Sequence, residues 1–209
     1  MYLCIDTATL DSGISLVSES EVFGYLQLEQ MNASEKIIEN IDKLLIKSKS
    51  HLSDLKGIFV IKGPGSFTGL RVGISVANQF AHQFKVPIIG LTNDEWYSYR
   101  TDEKDFIYLQ SMNRDEVYMV DFCHSQPRSG IYTITDFQKS FDKTAKWIGQ
   151  LNDIHRKQLS DLYEVDDVRS PGEVWQKVVQ SLSDKDYKKY DLIEPFYGKE
   201  PSITKAKKI

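Results

Sequence analysis

The sequence predicts an α/β fold: a mixed sheet flanked by helices, followed by a reduced second lobe. Three observations carry this expectation. Near the N-terminus, short apolar runs separated by polar turns read as a strand meander. Further on, strands alternate with segments whose apolar residues recur every three or four positions. Between these, the run Ile58-Phe59-Val60-Ile61 leads into Gly63-Pro64-Gly65-Ser66-Phe67-Thr68-Gly69-Leu70-Arg71, which reads as a buried strand, a tight glycine turn and the start of a helix.

In chain order, Tyr2 to Ile5 is an apolar strand closed by Asp6-Thr7-Ala8-Thr9. Gly13 to Val17 and Val22 to Leu28 follow as two more strands, parted by the turn Ser18-Glu19-Ser20-Glu21. A helix begins near Asn32 or Ser34, both good caps, and carries Ile37, Ile38, Ile41, Leu44 and Leu45 at helical spacing. The strand Ile58 to Ile61, the glycine turn and a helix from about Ser66 to Phe84 come next. Val86 to Leu91 is a short strand with Pro87 at its edge, and Thr92-Asn93-Asp94-Glu95 opens a helix holding Trp96, Tyr97 and Tyr99. Phe106 to Gln110 and Val117 to Phe122 are strands joined by a turn at Asn113-Arg114-Asp115, and Ile131 to Ile134 is one more. Asp136 to Glu164 shows no clear period. Ser170-Pro171-Gly172-Glu173 then starts a helix with its own capping box, burying Val174, Trp175, Val178, Val179 and Leu182. No internal repeat is visible in the residues. The order β-β-β-α-β-α-β-α is the half-domain of the actin-like ATPase (ASKHA, RNase H-like) fold, with residues 1–104 as its lobe and 105–209 as a smaller lobe with a basic tail.

Composition narrows the function classes. At 41% hydrophobic and 27% charged residues the chain is an ordinary globular protein rather than a disordered one. A net charge of −4 argues against broad attraction to nucleic acid. Two cysteines, Cys4 and Cys123, are too few for a disulfide framework. No apolar run reaches the length of a membrane span, and Asp6 interrupts any secretory leader, so the expected location is the cytoplasm.

The motifs leave several readings open. A strand ending in a glycine turn at a helix N-terminus suits phosphate, and it equally suits close backbone packing. Gly63, Pro64, Gly65, Ser66, Thr68, Gly69 and Arg71 form this turn, but no Lys follows Gly69 as a Walker loop requires, and Thr68 stands where a dinucleotide fingerprint needs its third glycine. Asp6, Thr7 and Thr9 are similar to a phosphate-binding turn of actin-like ATPases, or simply shape their own turn. Gly69, Gly73, Ala77 and Ala81 lay a stripe of small residues along one helix face, either for the chain's own sheet or for a partner helix. The histidines His51, His82, His124 and His155 show no metal-ligand spacing. No serine stands in a nucleophile-elbow motif, and Ser66 has no His partner readable from spacing.

Three segments together resemble the TsaB (YeaZ) family of the bacterial threonylcarbamoyladenosine tRNA-modification pathway. They are Cys4-Ile5-Asp6-Thr7-Ala8-Thr9, the block Gly63 to Gly73, and Arg114-Asp115-Glu116-Val117-Tyr118, and the tail Glu194 to Lys205 is similar as well. Departures occur at Ala33-Ser34-Glu35, where many members have His-Ser-Glu, and at Ser111, where many have aspartate. The resemblance implies a non-catalytic subunit that pairs with and activates a TsaD-type subunit, with a TsaE-type ATPase joining the assembly. It further implies a homodimer in isolation, only indirect contact with tRNA, no membrane, and no metal or cofactor bound by this chain alone, with ATP and Mg²⁺ handled at the assembled complex. It also selects the partner reading of the small-residue stripe, giving an expected interface of Ile37, Ile41, Leu45, Gly69, Gly73, Ala77 and Ala81. An autonomous ATPase or phosphotransferase is the first alternative, and a glycoprotease-like hydrolase the second.

Overall fold

The computed structural model describes residues 1–29, 33–124, 128–141, 144–166, 169–182 and 192–198. Asn32, named as a helix cap, and the basic tail from residue 199 onward lie outside these residues. Among the described residues, no helix is long and apolar enough to cross a membrane.

The predicted meander forms. Strands β1 (Tyr2–Asp6), β2 (Gly13–Val17) and β3 (Val22–Gln27) pair antiparallel in succession. Helix α1 (Ala33–Ser48) crosses over to β4 (Gly57–Gly63), which lies parallel to β1. Helix α2 (Phe67–Phe84) crosses to β5 (Ile88–Thr92), again parallel. The sheet order is β3-β2-β1-β4-β5. Pro87 falls just before β5, an edge strand, where its missing N–H costs no ladder bond. Helix α3 (Asn93–Ser98) starts on a capping box of Thr92 and Glu95.

The second half repeats this winding. Strands β6 (Ile107–Ser111), β7 (Glu116–Asp121) and β8 (Arg128–Thr133) form an antiparallel meander. Then come helix α4 (Ile134–Ser140), strand β9 (Lys146–Gln150) parallel to β6, helix α5 (Asp153–Gln158), strand β10 (Tyr163–Glu164) parallel to β9, and helix α6 (Pro171–Leu182). Its order, β10-β9-β6-β7-β8, matches the first sheet element for element. The repeat that the residues conceal is therefore present in the topology. The second lobe is reduced in element length rather than in plan: α4 and α5 have 7 and 6 residues where α1 and α2 have 16 and 18. The expected strand at Ile131 to Ile134 shifts toward the N-terminus, because Thr133 accepts the N–H of Asp136 at 3.1 Å and so caps a helix that begins at Ile134.

The boundary near residue 104 separates the two sheets but not everything after it. Helix α6 packs on β2 and β3 of the first sheet, with Val174, Trp175, Val178 and Val179 fully buried and Trp175 against Trp96. Residues 192–198 also return to the first lobe. Ile193 exchanges two hydrogen bonds with the Asn78 side chain, and the Phe196 N–H donates to the Lys62 carbonyl at 2.7 Å.

The small-residue stripe corrects the expected interface. Ala77 and Ala81 are buried, and a Cβ on Gly73 would stand 2.2 Å from Thr7 Oγ1. A Cβ on Gly69 would stand 2.0 Å from the Thr7 carbonyl oxygen. The stripe admits the chain's own β1 and its following turn, so no partner helix can lie across it. Ile37, Ile41 and Leu45 are likewise buried in the same core. The apolar side chains that α1 turns outward are Ile38, 46% exposed, and Ile46, 78% exposed.

Candidate functional site

Because the two halves are wound alike, the turn after β1 and the turn after β6 occupy matching places. They meet across a cleft of about 530 Å³, walled by Thr7 to Leu10 and Ser12 on one side and by Gln110 to Met112 and Gln150 to Asn152 on the other. Gly65 and Ser66 of the glycine turn close one end.

The β1 turn is held from within. Asp6 Oδ1 accepts the N–H groups of Ala8 at 2.9 Å and Thr9 at 3.1 Å, while Oδ2 accepts the Thr9 hydroxyl. Both carboxylate oxygens are thus engaged, and burial pushes the Asp6 carboxyl above the ordinary carboxylate range. Thr7 Oγ1 donates to the Gly69 carbonyl at 2.6 Å, tying the turn to α2. Asp6 and Thr9 therefore bond to each other, and Thr7 bonds to α2.

The glycine turn is shaped by close approaches. Gly63 adopts φ 120°, and a Cβ there would stand 2.0 Å from the Phe196 carbonyl oxygen. A Cβ on Gly65 would reach 2.8 Å from the Ala8 carbonyl oxygen. Ser66 caps α2 through the Gly69 N–H at 3.2 Å, and its own N–H donates to Ala8. The Pro64 carbonyl accepts the side-chain amides of Asn93 and, at 3.1 Å, of Gln110. Thr68 is exposed, and Arg71 lies over the Phe67 ring at 4.3 Å to its centroid. The glycines thus serve packing, the reading the sequence held beside phosphate.

The lobes are latched by polar groups that no local spacing connects. Gln110 Oε1 accepts from Tyr108 at 2.6 Å and from Asn93 at 3.1 Å. Gln150 donates to the Tyr97 hydroxyl at 2.9 Å, and that hydroxyl donates to Asp11 at 3.3 Å. Arg100 forms an ion pair with Asp11.

An actin-like fold implies nucleotide with a divalent cation in such a cleft. The donor set does not fit them: among the described residues the walls carry hydroxyls, carboxamides and apolar side chains but no Lys, Arg, Asp or Glu. A triphosphate with its metal needs compensating charge. Among the described residues, no group of three or more His, Cys, Asp or Glu side chains gathers to hold a metal.

A family profile described as "TsaD: tRNA N6-adenosine threonylcarbamoyltransferase" matches residues 28–184, well over half of the chain. "tRNA threonylcarbamoyladenosine biosynthesis protein TsaB" of Escherichia coli (strain K12) is 32% identical over 90 residues, which cover 43% of this chain and 39% of that protein. By the profile match the chain belongs to the family of that profile, and over part of its length it is similar to TsaB. The protein of the same description from Bacillus subtilis (strain 168) is 34% identical over 94 residues, covering 44% of this chain and 41% of that one. The matched part thus spans about two fifths of the length of these curated relatives of the TsaB/YeaZ family. Among solved structures, "an uncharacterized protein with similarity to peptidase YEAZ from Pseudomonas aeruginosa" superposes with a TM-score of 0.71 at 17% identity, covering 95% of this chain and 99% of that one. That likeness bears out the predicted α/β fold, a mixed sheet flanked by helices with a second, reduced lobe.

Proposed function

We propose that this chain serves the formation of threonylcarbamoyladenosine at position 37 of tRNA in the cytoplasm, as a partner subunit that pairs with and activates a TsaD-type protein. The observation that carries the reading is the uncharged cleft. A protein of this fold that turned over nucleotide alone would need charged groups there, and Asp6, the carboxylate beneath the β1 turn, spends both oxygens on that turn. Transfer chemistry, and with it ATP and Mg²⁺, then belongs to the assembled complex. A TsaE-type ATPase joins that complex, and tRNA contact is indirect.

The pairing surface in this reading is the outward side of α1, where Ile38 and Ile46 stand exposed within one helical stripe. In isolation, a second copy covers the same surface. Co-expression with a TsaD-type subunit and size-exclusion chromatography tests this. The pair is expected to co-elute, and the double variant Ile38→Glu, Ile46→Glu is expected to abolish co-elution. That variant should change the unfolding free energy by no more than about 0.5 kcal/mol per site, as exposed substitutions do. Failure to co-elute, or co-elution indifferent to the variant, overturns the reading, as does ATP turnover by the isolated chain.

A further inference from the structure

Outside the latch residues, one pair of side chains joins a base to the cleft wall. His155 lies on α5 with no solvent exposure. Its Nε2 is 2.9 Å from the Arg114 carbonyl oxygen, and its Nδ1 is 2.8 Å from Ser111 Oγ. A carbonyl oxygen can only accept, so Nε2 carries the hydrogen. In the neutral ring, Nδ1 then offers its lone pair, and the Ser111 hydroxyl donates to it. Ser111 Oγ also accepts the Asn152 N–H at 3.0 Å, and Asn152 in turn caps α5 through the His155 N–H at 2.8 Å. The serine rotor is therefore fixed between a base and a backbone donor, with one lone pair left over. His155 is sealed, but Ser111 ends β6 and forms part of the cleft wall. A hydroxyl turned toward a base, with the base oriented by a third group, is the arrangement that activates a serine. Here the Arg114 carbonyl does the orienting.

We propose that Ser111, with His155 as its base, is an acyl-accepting nucleophile for an uncharged activated ester bound in this cleft. The uncharged lining sets the substrate class, and the inference stands apart from the subunit reading above. In the step, Ser111 Oγ bonds to the acyl carbon, and the bond from that carbon to the leaving oxygen breaks. The hydroxyl proton passes to His155 Nδ1 and from there to the leaving oxygen. An alcohol or phenol departs, an O-acyl serine remains, and nothing is oxidised or reduced.

The test uses the full chain with p-nitrophenyl acetate, followed by intact mass and peptide mapping. One acetyl group is expected per chain, on Ser111, with Ser12 and Ser66 in the same cleft unmodified. Base assistance to a positioned group is worth about 10²-fold or more in rate, so Ser111→Ala should lose nearly all the p-nitrophenolate burst. Replacing buried His155 risks the fold, so the second variant is Ser111→Cys. Its thiol, paired with His155, should be alkylated by iodoacetamide faster than exposed Cys123 of the same chain. No adduct on the wild type, an adduct at other residues, or an unchanged burst in Ser111→Ala overturns the proposal, as does Cys123 reacting first in Ser111→Cys. Co-elution with a TsaD-type subunit is independent of each of these readouts.

Discussion

Asp94 carries an electrostatic cost of burial. It is buried in the first turn of α3, and its Oδ1 has no hydrogen-bond partner among the described residues. Burial pushes its carboxyl up from 3.8 to about 6. The folded state thus holds this proton more tightly than the unfolded chain does. The resulting stability is fully present below about pH 4 and is lost as the pH rises through about 6. The rise is worth on the order of 3 kcal/mol. Asp94→Asn is therefore expected to be more stable than wild type at pH 7.5 by an amount of that order, with the difference vanishing near pH 4. Urea titrations across this range check it, and parallel curves for the two proteins would refute it. At this scale the sequence was legible only where a residue acts on its chain neighbours. The caps at Ser66 and Ser170 were readable because donor and acceptor lie three residues apart. Ser111 and His155 are separated by 44 residues and follow no local spacing, and the same holds for Asn93, Gln110 and Pro64.

Helix α2 shows how an element can be read correctly and its face wrongly. The i+4 run of small residues was plain in the sequence, but sequence alone does not say which surface comes close. The surface is Thr7 of the chain itself, which also donates to the Gly69 carbonyl. Gly73→Ala and Gly69→Ala should therefore each destabilise the fold. Overpacking costs about 1–3 kcal/mol, which outweighs the gain of about 1 kcal/mol in helix propensity. Gly73→Leu, with three more carbons, should leave no cooperative unfolding transition in urea. A folded Gly73→Leu monomer would mean that the stripe opens outward after all. The elements missed between Asp136 and Glu164 share a cause: β9, α5 and β10 have 5, 6 and 2 residues. Segments this short carry too few periods to register, and pairing of β9 with β6 and of β10 with β9 holds them in place.

At the scale of the whole molecule, the two sheets follow one plan, but the lobes are not independent bodies. Helix α6 belongs to the second half by sequence and completes the core of the first by packing on β2 and β3. Residues 1–104 expressed alone are expected to lack a cooperative thermal transition and dispersed amide resonances, since the face that Val174, Trp175, Val178 and Val179 cover would be open to water. A well-dispersed spectrum from that fragment would show the lobe to be self-sufficient. The same return of the chain has a consequence for biosynthesis. The bond between Asn78 and Ile193 joins residues 115 apart, and α6 emerges from the ribosome long after β1 to β5. Throughout that interval the nascent first lobe presents a bare apolar face, so it is expected to be a client for holding chaperones until α6 arrives to close it.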